Sequence, residues 1–64
     1  MTVKELHRGQ FFCLKDLQEP KDSQIWIRDG YDPAEKKYEA HRWDDVNHFR
    51  LFSGKREVFT DFIF

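Results

Sequence analysis

Residues 24–28, Gln24-Ile25-Trp26-Ile27-Arg28, decide the fold class. Ile25 and Ile27 fall on one side of an extended chain, and Gln24, Trp26 and Arg28 on the other, which is the two-residue period of a β-strand. β-Branched and aromatic side chains fill such a pleated surface well. Asp29-Gly30 and Asp32-Pro33 follow and predict a loop of about eight to ten residues. Beyond it the alternation resumes over 36–43, with Tyr38 and Ala40 on one face and Lys37, Glu39 and His41 opposite. The two segments together predict a hairpin with a long tip.

Outward from this hairpin the apolar residues keep to short clusters between turn residues, the spacing of strands. Gly9, midway between Leu6 and Phe12, marks a turn or bulge feeding a strand at 10–15. Gln18–Ser23 is polar, contains Pro20 and reads as a loop. Asp44-Asp45-Val46-Asn47-His48 interrupts the pattern, with Asp44 placed to cap one helical turn. A fourth strand covers 49–52, a turn lies at Ser53-Gly54-Lys55-Arg56, and a fifth strand runs over 57–64. In that last strand Val58, Thr60, Phe62 and Phe64 share one face and Phe59, Asp61 and Ile63 the other. Helical alternatives are a short turn at 3–7 and a helix opening at Pro33 with Asp32 as cap. The expected fold is mainly β, a small five-stranded bent antiparallel sheet or SH3-like barrel. The alternative is an α+β domain with one short helix.

The opening Leu6-x-x-Gly9-x-x-Phe12 and the five short strands resemble the small SH3-like barrels, in which such a leucine and glycine precede a strongly bent first strand. The whole sequence is also similar to short bacterial proteins of unknown function, a likeness that implies no activity. The SH3-like resemblance implies binding of RNA, DNA, peptides or other subunits and selects none of them. The acidic and aromatic loops of peptide-binding SH3 domains and the basic-glycine loop of ribosomal-type modules are both missing, so no site residue carries over.

With 64 residues the chain is a single domain, 1–64. At that size the ordering cost, roughly 1.5 kcal/mol per residue, nearly cancels what a core supplies. A disulfide is excluded, because Cys13 is the only cysteine. What remains is a rich core or a partner, and seven Phe, two Trp and two Tyr suit either. A net charge of −1, with 36% charged residues, argues against a dedicated nucleic-acid module, although a local patch is compatible with it. Met1-Thr2-Val3-Lys4-Glu5 enters charged sequence at once, without the apolar stretch of a signal peptide. No run approaches the ~20 apolar residues of a membrane span. The expected location is cytoplasmic, with no membrane partner.

No residue pattern points to catalysis, a metal or a cofactor, and no small-molecule ligand is expected. Cys13 sits in an apolar run with no histidine tied to it, so it reads as structural. His41, Asp44, Asp45 and His48 lie within eight residues, but the spacing of the two histidines matches no ligand pair. Adjacent carboxylates such as Asp44 and Asp45 do not converge across a cleft as acid–base chemistry needs. The expectation is a non-enzymatic binding or assembly module acting through protein contacts. The alternative is a nucleic-acid-binding accessory protein.

The candidate binding face is Trp26, Arg28, Tyr31, Lys37 and Trp43, aromatics interleaved with cations on a sheet. The competing reading makes the same residues an aromatic cover over a small core, with basic stems lying across it. The last strand, apolar on both faces, suggests a homodimer with Phe59 and Ile63 as candidate contacts.

Overall fold

The computed structural model describes residues 1–63 and contains the strands β1 (Phe11–Phe12), β2 (Trp26–Asp32), β3 (Lys37–Arg42) and β4 (Asp45–Phe52). They form one antiparallel sheet in the order β1-β2-β3-β4, so each strand lies beside its neighbour in sequence. The mainly β expectation holds. The sheet has four strands and stays open, with β1 and β4 as its edges.

The expected loop after Arg28 is shorter than its Asp-Gly and Asp-Pro pairs suggest. Arg28 pairs with Ala40 and Tyr31 with Tyr38, so Asp29 and Gly30 form a bulge inside β2. The turn itself is residues 33–36. There Asp32 does act as a cap, its Oδ1 accepting the Ala34 and Glu35 backbone N–H groups at 3.0 and 3.3 Å. The expected helix does not form and the chain stays a turn, closed by Lys36 with a left-handed φ of 56°.

Asp44 caps no helical turn. Arg42 pairs with Asp45 across Trp43 and Asp44, a two-residue hairpin connection. His41 next pairs with Phe49, which leaves Val46, Asn47 and His48 bulged from the ladder. This bulge lies on the open edge, where it discourages pairing with another chain.

The fifth strand expected at 57–64 enters as two isolated bridges, Thr2↔Glu57 and Cys13↔Phe59, and Phe64 lies outside the described residues. The backbone explains why no ladder forms. Val3 N–H donates to the Arg56 carbonyl and Val58 N–H to the Met1 carbonyl, whereas Phe59 exchanges both its bonds with Cys13. The segment thus divides its hydrogen bonds between two parts of the chain.

Helical structure among the described residues is two 3-10 turns, Val3–Glu5 and Asp22–Gln24. The first falls within the short turn expected at 3–7. It is held by Glu5, whose Oε1 accepts the Thr2 backbone N–H at 2.7 Å and the Thr2 hydroxyl at 3.0 Å. These two bonds, the backbone one first, hold the Glu5 carboxyl below its ordinary pKa.

The core lies between one face of the sheet and the segments that cross it. Phe12, Trp26, Ala40 and Phe52 come from the four strands, and Val3, Leu6 and Val58 from the crossing segments. Phe52 meets Phe12 and Trp26 edge to face, with centroids 5.9 and 5.4 Å apart. Gly9 has a φ of 86°, which turns the chain into β1. Gly54 lets the following turn lie against Tyr38, where an added Cβ would come within 3.0 Å of the ring.

Candidate functional site

The strand register sorts every side chain onto one of two faces. Arg28, Ala40 and Arg50 form one cross-strand row, and Trp26 and Arg42 begin the next. These residues stand on the inner, core-bearing face. Phe11, Ile27, His41 and Phe49 form a row across all four strands on the outer face.

This register divides the candidate binding face. Trp26 is 6% exposed and belongs to the core. Its ring meets Phe52, and His48 lies beside it at 5.7 Å. The guanidinium of Arg28 lies 4.7 Å from the Tyr38 ring, and Tyr31 packs on Tyr38 at 4.8 Å. Lys37 is exposed at the start of β3. Trp43 packs against Phe11 at 5.3 Å on the outer side. Arg28 and Tyr31 thus cluster, while Trp26 and Trp43 stand on opposite sides. The expected grouping of Trp26 with Lys37 and Trp43 on one face is corrected by the register, which sets Trp26 opposite Arg42 and Ile27 opposite His41. Directly opposed residues share a face.

On the inner face the arginines border the core. Arg50 places its guanidinium 5.0 Å from the Phe52 ring and 5.9 Å from Trp26. Arg42 Nε lies 3.4 Å from Asp44 Oδ1, an ion-pair distance without hydrogen-bond geometry. Arg28 Nε is also buried with no hydrogen-bond partner. The stems of these side chains cover the rim of the aromatic core.

The outer face holds residues the sequence left unassigned. Val46 is 71% and Phe49 63% exposed, and Trp43, toward the β1 side of the same face, is 45% exposed. Val46 and Phe49 line an open cleft of about 370 Å³ with Asp29, Glu39 and His41. The bulge in β2 brings Asp29 to His41, Oδ2 to Nδ1 at 2.7 Å. Glu39 is half-buried and, among the described residues, has no hydrogen-bond or ion partner. The usable signal in the sequence was the odd-numbered row Glu39, His41, Trp43 together with Phe49, which shares the face once β3 and β4 pair.

The other candidates take separate places. His41 and His48 stand on opposite faces, and no three His, Cys, Asp or Glu side chains among the described residues are placed to hold a metal ion. Cys13 is fully buried, and burial pushes its thiol pKa up, the reverse of an activated nucleophile. Phe59 is half-buried and its backbone is bonded to Cys13, whereas Ile63 is 72% exposed. No helix among the described residues is long and apolar enough to cross a membrane. Compared with known proteins, the chain matches no family, no curated protein and no solved structure, so the two faces carry the functional argument.

Proposed function

We propose that the protein is a non-catalytic interaction module that binds another protein through the outer face of its sheet, in the cytoplasm. The observation that supports this reading is the exposure of Phe49 and Val46 together in one cleft on the outer side of a 64-residue domain. Side chains of this kind add nothing to the core and cost solubility when left in water. Aromatic residues in the middle of a patch are the usual anchors of protein interfaces. The SH3-like likeness belongs to the same proposal, and what supports it is the bridge between Cys13 and Phe59, which brings the last segment against the end of β1. The test is capture from nuclease-treated lysate with the wild-type protein and with Phe49→Glu. The reading expects specific partners with the first and their loss with the second.

Nucleic-acid binding is the second reading, and the grouping of Arg28, Arg42 and Arg50 around Trp26 on the inner face favours it. It ranks below the first because Trp26 and Phe52 are buried and their rings are already engaged by neighbouring side chains. Base stacking needs an open ring face. Binding of single-stranded probes at low salt, weakened by added salt, is its expected sign.

A further inference from the structure

We infer that the partner enters the outer cleft with a basic side chain, lysine or arginine, flanked by apolar residues in an extended segment. This inference rests on the outer face being the binding surface. It is carried by the chemistry of the cleft walls. Phe49 and Val46 supply apolar surface, while Asp29 and Glu39 supply carboxylates. Asp29 already has His41 at 2.7 Å. Glu39, half-buried and without a hydrogen-bond or ion-pair partner among the described residues, lines the same cleft.

The lone carboxylate discriminates among occupants. A purely apolar partner would remove Glu39 from water and give it nothing in return, which is the costly way to bury a charge. A second copy related by a two-fold axis would bring another Asp29 and Glu39 toward the first pair, adding like-charge repulsion. A guanidinium or ammonium group satisfies Glu39 by a charge-assisted hydrogen bond, and an exposed aromatic ring such as Phe49 in the same cleft adds attraction for a cation. One cation of the chain itself, Arg8, comes near. Its Nη2 lies 3.2 Å, and Glu39 Oε1 3.4 Å, from the Cβ position an alanine at Gly30 would occupy. It approaches the rim of the cleft at Gly30 and is not one of the residues lining it.

A random dodecapeptide display library, panned against the full chain, tests this. The expected result is enrichment of a lysine or arginine between apolar residues. Synthetic copies of those peptides should lose at least tenfold in affinity on Glu39→Gln and all measurable binding on Phe49→Glu. Both substitutions are at solvent-accessible positions, and circular dichroism is used to check that each variant keeps its fold. Enriched peptides without a basic residue, indifferent to Glu39→Gln but lost on Phe49→Glu, would overturn the inference and leave the outer face as the binding surface. Peptides indifferent to Phe49→Glu would overturn both. Light scattering on the same proteins supplies the remaining outcome. A dimer that Phe49→Glu dissociates would replace the basic partner with a second copy.

Discussion

At the residue scale, Trp26 and Phe49 divide the roles that aromatic residues play in this chain. Trp26 reads in isolation as an exposed platform, because Gln24 and Arg28 share its side of the strand. Its burial comes from Phe12, Phe52 and the stacked Arg50, all distant in sequence. No local pattern announces contacts that depend on which residues of β2 and β3 stand opposite. Trp26→Ala is therefore expected to cost about 3–5 kcal/mol in urea denaturation. Phe49→Ala, at a position 63% exposed, should stay within about 0.5 kcal/mol of wild type. Equal costs would remove the division between core and surface drawn here. Gly9→Ala, forced into a left-handed φ with open space around it, is expected to lose about 1–2 kcal/mol in the same assay. For Glu5, whose carboxyl is held low by the Thr2 N–H and hydroxyl, an NMR titration should place the midpoint below the ordinary carboxyl value. The sign follows from that depression. The small stabilisation is present above the ordinary carboxyl pKa and fades as acid protonates the folded group. Cys13 should resist Ellman's reagent until the protein unfolds, since its thiol is buried and its pKa raised.

At the element scale, the strands with clean alternation were legible and those defined by long-range pairing were not. Residues 36–43 predict β3 well, whereas 24–28 catch only the start of β2, which begins at Trp26 after the 3-10 turn Asp22–Gln24 and runs on to Asp32. Asp29-Gly30 looked like the start of a loop, since bulges and turns draw on the same residues. The alternation at 57–64 looked like a strand, yet its backbone bonds go to Met1, Cys13 and Gln18 in turn. Extended conformation was visible in the sequence, whereas ladder membership depends on where the N-terminal segment lies. The outer site went unseen for a related reason. Glu39, His41 and Phe49 belong to two strands, and Asp29 joins them through the bulge. Amide hydrogen exchange checks this layout. Exchange should be slowest in β3, which is paired on both sides, and fastest among Val46, Asn47 and His48, which are bulged from the edge. Strong protection over 57–63 equal to that of β3 would show a fifth strand after all.

At the scale of the whole molecule, one thin sheet has two unlike faces. The inner one is closed by Val3, Leu6 and Val58 and bordered by arginines stacked on aromatic rings. The outer one leaves Phe49 and Val46 exposed beside Asp29 and Glu39. Residues 49 and 50 offer a direct comparison, since adjacent strand positions point to opposite faces. Phe49 is on the outer side and Arg50 on the inner. The deciding measurement is parallel capture from nuclease-treated lysate with wild-type protein, Phe49→Glu and Arg50→Gln, each confirmed folded. The account predicts that Phe49→Glu loses the partners and Arg50→Gln retains them. Loss with Arg50→Gln and retention with Phe49→Glu would contradict it and move the function to the arginine-bearing face.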